Sequence, residues 1–248
     1  MSDRSGIHGW TIRVVDSTGS TNADLLADLE AGRAGAKHAL RTDHQSAGRG
    51  RLDRRWDAPS GENLLVSLAF LDVPVHPATL TQAVGIAAVH AVDAVVGERL
   101  DGRLMLKWPN DVLLDDRKLA GVLAQRAASG AVVVGIGVNV GWSPDTASSL
   151  SATLGLAVQP ATLLDELLGA LDEHLALTDE ERHGRYAARL GTLGRVVRVQ
   201  LPAANDLVGV AEAVERDGRL VVRSHDGQRH VIDVGDIVHL RTPENDQP

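Results

Sequence analysis

Residues 104–126, LMLKWPNDVLLDDRKLAGVLAQR, read as three short strands separated by two turns: Leu104–Lys107, Val112–Leu114 and Lys118–Gln125. Pro109-Asn110-Asp111 carries strong turn chemistry, and Asp115-Asp116 suits a tight hairpin. Lys118 heads a run, KLAGVLA, that is otherwise fit for burial. Enclosing its ammonium without an anion would be costly. The position therefore calls either for a negative partner or for an edge strand with the side chain turned out. Gly121, in mid-strand, marks a place where something approaches the backbone closely.

Outward from this stretch, residues 131–140 (AVVVGIGVNV) and 63–71 (NLLVSLAFL) are apolar strands, and 37–42 (KHALRT) and 11–15 (TIRVV) are shorter ones. Ala78–Val96 is apolar around most of a helix circumference, which predicts a buried helix. Another helix is predicted after Ser20 or Thr21, either of which can cap it. Leu25, Leu26 and Leu29 give it an apolar stripe and Gly32 a stop. Capping alone accounts for Ser20, Thr21 and Asn22, yet the free N–H groups of a helix start also suit a ligand. From Pro160 the pattern is helical in two segments, ATLLDELLGALDEHLAL and DEERHGRYAARLG. Composition shifts after Leu193. Residues 195–241 read as five short strands between Asn-Asp, Asp-Gly, Asp-Gly and Gly-Asp turns, the spacing of a small barrel. The tail TPENDQP reads as disordered. The expected architecture is an α+β domain over residues 1–192 followed by a small β-barrel over 193–248.

Residues 45–56, QSAGRGRLDRRW, leave the 37–42 strand as a loop. Gly48 and Gly50 sit there among Arg49, Arg51, Arg54 and Arg55, with Arg41 just upstream. Glycines let a backbone turn several N–H groups toward one point, and guanidinium groups add forked donors for phosphate or carboxylate. The plain alternative is a solvated basic loop. Gly135, Gly137 and Gly141 do not make a dinucleotide fingerprint, because the third glycine is one place late and no strand–turn–helix follows. A Walker A loop is also absent. His90, His174 and His183 have no partners at zinc-ligand spacing.

The 248 residues suffice for one large domain, or for a domain with a small companion. Aromatic residues are 2% of the chain, so Ala, Val and Leu must fill the core. A net charge of −8 argues against a general nucleic-acid binder. The absence of cysteine excludes disulfides, thiolate catalysis and thiolate metal sites. MSDRSGIHGW lacks the apolar core of a signal peptide, and the apolar segment around 84–96 is broken by His90 and Asp93. Neither export nor a membrane span is predicted, and a cytoplasmic location is the expectation.

Arginines, lysines and glycines without an acidic cluster suit binding a nucleotide and stabilising charge at phosphorus. QSAGRGR followed by RRW, then KWPND, RKLAGVL and GIGVNV, in that order and spacing, resembles the biotin protein ligase family. The resemblance runs from about residue 10 to the C-terminal strands. It implies a mixed sheet flanked by helices, a small SH3-like C-terminal barrel, and a two-step reaction. Biotin's carboxylate attacks the α-phosphate of magnesium ATP, giving biotinyl-5′-adenylate and pyrophosphate. The ε-amine of a lysine on a biotin carboxyl carrier domain then attacks the acyl carbon and expels AMP.

The resemblance also implies roles. Ser20, Thr21, Asn22 and Gln45 match positions that hold the biotin head group. Arg49 and Lys118 match positions near the biotin carboxylate and the phosphate, where Lys118 would offset charge building on phosphorus. Arg51, with Gly48, Gly50, Arg54 and Arg55, belongs to the loop that closes over the adenylate, and Trp56 matches a tryptophan that covers the adenine. Asn110 and Asp111 match the turn lining the nucleotide site, Asp111 being the candidate to orient or deprotonate the incoming lysine. Gly121 leaves space against biotin, and Gly137 and Asn139 fall near the adenosine. No protein metal ligand is implied.

Two features depart from the pattern. Leu52-Asp53 stands where many members carry a glycine, which bears on how the loop moves. Little more than ten residues precede the first strand, leaving no room for the DNA-binding domain of some members. A ligase without DNA or membrane partners is expected, as a monomer or homodimer. Lipoate–protein ligases share the fold and the acyl-adenylate chemistry, and a non-catalytic biotin-binding regulator is a further reading. KWPND and AGRGR favour biotin, and the joint presence of Arg49, Arg51, Asp111 and Lys118 favours an enzyme. The 45–56 loop is expected to be mobile without ligand and ordered once the adenylate forms.

Overall fold

The computed structural model describes residues 2–5, 7–52, 54–74, 76, 78–97, 100–201 and 206–240. The chain runs β1 (Ser2–Ser5), β2 (Thr11–Thr18), α1 (Thr21–Glu30), β3 (His38–Gln45), β4 (Leu64–Phe70) and α2 (Ala78–Val96). It continues through β5 (Leu104–Lys107), β6 (Asp111–Leu114), β7 (Arg117–Arg126), β8 (Val132–Val138) and α3 (Leu150–Leu154) to α4 (Pro160–Leu175) and α5 (Asp179–Arg189). The last strands are β9 (Val196–Gln200), β10 (Leu207–Val214), β11 (Leu220–Ser224), β12 (Arg229–Ile232) and β13 (Asp236–His239).

The three strands expected in 104–126 form as a meander. Asp115 and Asp116 have φ of 52° and 58°, the pair of left-handed residues that a two-residue type I′ hairpin needs. The meander joins an eight-stranded mixed sheet in the order β1-β2-β3-β4-β8-β7-β6-β5. Among the described strands, only β2 and β3 pair in parallel, with α1 as their crossover. β7 lies between β6 and β8, so the edge-strand reading of Lys118 does not hold.

The period of two sorts side chains between the sheet faces. Leu64, Val66, Leu68, Val134, Ile136 and Val138 join α2 and α4 in the main core, whereas Ala69 and Val133 pack with Leu25 of α1. β4 is therefore buried on both faces. α2 is long and apolar enough to cross a membrane, but twelve of its residues are buried in this core.

The five C-terminal strands hydrogen-bond as one antiparallel sheet, order β12-β11-β10-β9-β13. Its Val197, Val199, Leu220 and Ile237 belong to the same apolar cluster as the larger sheet. Trp108 crosses the junction, its indole N–H donating to Gly218 O at 2.8 Å.

Among the described residues, three elements were not anticipated: β1 and a short 3-10 helix (Ile7–Gly9), which precede the expected first strand, and α3. Asp53 and the tail TPENDQP lie outside the described residues.

Candidate functional site

A cavity of about 620 Å³ opens between α1, the face of β7 and β8, and residues 49–51 and 54–57. Ser20, Thr21, Asn22, Gln45, Arg49, Gly50, Arg51, Trp56, Asn110, Asp111, Lys118, Gly121, Gly137 and Asn139 all line it. Gly48 stands behind them, where a Cβ would collide with the Trp56 carbonyl.

At one end, Ser20 is the N-cap of α1, but its side chain makes no capping hydrogen bond. Gln45, at the end of the neighbouring parallel strand, takes that role. Its Oε1 accepts from Thr21 N at 2.8 Å and from Thr21 Oγ1 at 3.0 Å. Plain capping by Ser20 is thereby corrected. The Ser20 hydroxyl is left for other partners, and Gln45 Oε1 is held on Thr21, which leaves the NH₂ group as the part of Gln45 that can donate.

Asn22 is buried and braced. Its Nδ2 donates to Leu123 O and to Gln125 Oε1, and its Oδ1 accepts from Ser67 Oγ at 2.6 Å. One acceptor lone pair of that amide oxygen remains. Gly135 is required here, since a Cβ would run into the Asn22 side chain.

Lys118 reaches the cavity through a β-bulge. Leu113 pairs with Lys118 and Val112 with Ala120, skipping Leu119. Leu119 drops into the core, so Lys118 is turned to the same face as Gly121; bulges re-aim side chains in this way. Its Nζ stands 2.7 Å from Asp111 Oδ1 and 5.5 Å from the centre of the Trp56 ring. Here is the anion that a lysine heading a buried strand requires. The Trp56 indole lies over the cross-strand glycine pair Gly121 and Gly137. A Cβ on Gly137 would stand 2.5 Å from Trp56 Cε2, and one on Gly121 3.1 Å from Cζ3. Space that the sequence reading left for ligand is thus covered by Trp56, whose buried Nε1 has no hydrogen-bond partner.

The arginine loop folds as a small hairpin. Gly50 N donates to Arg54 O at 2.7 Å and Trp56 N to Gly48 O at 3.0 Å. Arg51 Nη1 donates to Asn110 Oδ1 at 3.4 Å and to Gly235 O at 3.3 Å. Burial pulls the Arg51 guanidinium below its usual range, against the attraction of Asp236 and Asp111. Arg49 is exposed at the cavity rim, bridged to Arg55.

Asn139 lines the cavity, but its amide is committed to the scaffold. Its Nδ2 donates to Ser148 O at 3.0 Å and Lys118 O at 3.4 Å, while its Oδ1 accepts from Asn63 Nδ2 at 3.3 Å. It positions Lys118 by holding that residue's carbonyl.

Five contributors were not read from the sequence: Ser67, Gln125, Asn63, Lys107 and Asp236. Ser67 carried a signal, being the one polar residue inside an apolar strand. Lys107, in the KWPND block, also carried one. Burial lowers its pKa, opposed by Asp111. Asp236 carried none.

Two family models match the chain: Biotin/lipoate A/B protein ligase family over residues 13–142, and Biotin protein ligase C terminal domain over residues 192–240. The biotin--[acetyl-CoA-carboxylase] ligase of Mycobacterium tuberculosis is 38% identical over 245 residues, covering 94% of this chain and 91% of that protein. The Paracoccus denitrificans protein of the same name is 33% identical over 240 residues, covering 89% and 97%. The fold is shared with the biotin protein ligase from Aquifex aeolicus in complex with biotin and ATP. That match has a TM-score of 0.79 at 23% identity and covers 93% of this chain and 99% of the other.

Proposed function

The chain belongs to the biotin/lipoate A/B protein ligase family, and from that premise we propose that it is an ATP-dependent biotin ligase. It activates biotin as biotinyl-5′-AMP and transfers the biotinyl group to a lysine of the biotin carboxyl carrier domain of acetyl-CoA carboxylase. The observation that carries this reading is the bulge that turns Lys118 into the cavity, between the polar end of the site and the arginine hairpin.

The polar end suits a ureido ring. Gln45 offers an N–H donor to a carbonyl, and Asn22 Oδ1 retains a lone pair for a ring N–H. A dithiolane ring has no group to match either. A site built to hydrogen-bond its substrate rejects an analogue that leaves those groups unpaired.

In the first step a biotin carboxylate oxygen attacks the α-phosphorus and the bond to pyrophosphate breaks. Negative charge builds on the phosphoryl oxygens, which Lys118, Arg49 and Arg51 offset. Among the described residues, no group of three or more His, Asp or Glu is placed to hold a metal. Magnesium would be carried in on the nucleotide's phosphates, as in many ATP sites, and would supply neutralisation of phosphate charge there. The arginine hairpin covers the adenylate and keeps water from the anhydride.

In the second step the acceptor amine attacks the acyl carbon and AMP leaves with the bonding electron pair. Asp111, once phosphate has drawn Lys118 away, orients the incoming amine and takes its proton. Residues 1–192 hold the chemistry, and 193–248 form the companion domain. The reaction takes place in the cytoplasm.

The test is ATP–pyrophosphate exchange by purified protein with magnesium. Exchange that depends on biotin is expected. Exchange supported by lipoate and not by biotin defeats the assignment.

A further inference from the structure

The C-terminal sheet touches the arginine hairpin through Gly235 and Asp236. Asp236 opens β13, and its carboxylate holds the Arg54 guanidinium in an ion pair. The same carboxylate lies 3.7 Å from Arg51 Nη1, which also donates to the adjacent Gly235 carbonyl. The mount is rigid. A Cβ on Gly235 would stand 2.9 Å from Val199 Cγ1 and 3.2 Å from Gln200 O, so the start of β13 sits tightly on β9. On the other side, Gly50 N donates to Arg54 O and Arg54 N to Arg51 O, making Arg51 and Arg54 the two arms of the hairpin tip. One carboxylate thus holds both arms.

We infer that Asp236 is a positioning residue for adenylate retention: through Arg54 and Arg51 it ties the companion domain to the hairpin that covers the cavity. An exposed ion pair alone would contribute little. Here, however, the Asp236 side chain is only 16% exposed and faces two guanidinium groups, so the pair belongs to a small network of charges and is not isolated. The tie also leaves Arg51 usable. Its contacts with Asn110, Gly235 and Asp236 all fall on Nη1, so the remaining guanidinium nitrogens serve a phosphate oxygen. The companion domain then acts on chemistry in a cavity built mostly by the other domain. The inference rests on the ligase reading.

The experiment uses the full chain. Enzyme is loaded with biotin and magnesium ATP without acceptor, and release of biotinyl-5′-AMP is timed. Asp236→Asn is expected to release it at least ~10-fold faster, while biotin affinity without ATP changes less than about twofold. Asp236→Glu, which keeps the carboxylate but not the shape, is expected to hold release within about threefold of wild type, which a merely structural, space-filling role for Asp236 would not do. Wild-type or slower release from Asp236→Asn overturns the inference, as does an Asp236→Glu enzyme that leaks like Asp236→Asn.

Hydrogen exchange at residues 50–56 reads the tie without activity. Asp236→Asn should lose protection there and keep it in the C-terminal sheet; unchanged hairpin protection overturns the inference. If protection is lost throughout, release from Asp236→Glu alone decides. A wild-type enzyme that makes no adenylate defeats the ligase reading instead, and hairpin exchange still tests the tie.

Discussion

Lys118 Nζ and Asp111 Oδ1 stand 2.7 Å apart on neighbouring strands, joined by a bulge that places a cation and its partner on the cavity face. In the proposed mechanism each serves one half-reaction: the lysine for phosphate, the aspartate for the amine that follows. Lys118→Ala is expected to cut biotin-dependent pyrophosphate exchange by at least ~100-fold, the scale of losing one preorganised charge at a transition state. Near-normal exchange would reduce Lys118 to a structural partner of Asp111.

Gln45 and Ser20 make a contrasting pair, since the glutamine caps α1 and the serine does not. Gln45→Ala should lower stability by about 1 kcal/mol, the usual loss when a helix-start N–H loses its acceptor. Ser20→Ala should stay within about 0.5 kcal/mol of wild type, as for changes that remove no cap. Both should weaken biotin binding. Urea unfolding beside biotin titration separates the two effects, and a large stability loss in Ser20→Ala would contradict the capping assignment.

Gly137 lies beneath the Trp56 indole, so Gly137→Ala drives a methyl group to within 2.5 Å of Cε2. The indole sits on a hairpin and can yield. The expected result is altered tryptophan fluorescence, an ATP KM raised by about tenfold, and a stability loss under about 1 kcal/mol. Unchanged fluorescence would mean that the ring does not rest on this glycine.

Two histidines make stability depend on acidity. His174 is held at about 4, first by burial, then by His90, Arg185 and Arg182. His239 is held at about 4, first by burial, then by Arg195 and Lys107. Unfolded histidine titrates near 6.5. Between about 6.5 and about 4 the unfolded chain therefore binds protons that the folded chain refuses, and stability falls as pH drops. Above about 6.5 both forms are neutral and this contribution is flat. Urea midpoints at pH 7.5, 6 and 5 should decline in that order, less steeply in His174→Gln. An equal slope in the variant would exclude His174 as a source.

Local chemistry alone places most of the elements. The turns of 104–126, the all-round apolarity of Ala78–Val96 and the Asp-Gly punctuation of the C-terminal strands act over a few residues, and the structure follows them closely. The arginine–glycine block and the lysine that begins a buried strand are legible for the same reason, because each is costly without a ligand or partner. What three dimensions decide is who meets whom. No residue near Ser20 announces that Gln45 will cap the helix, because the acceptor arrives from a parallel neighbour across a crossover. Nothing in RKLAG shows that Leu119 bulges and turns Lys118 into the cavity, since the bulge exists only against β6. Asp236 looks like one more turn aspartate until β13 brings it to Arg51 and Arg54, some 180 residues away in sequence. Spacing encodes period and propensity, which are short-range; pairing between distant segments is set by the burial of their shared faces, and only the folded chain creates those.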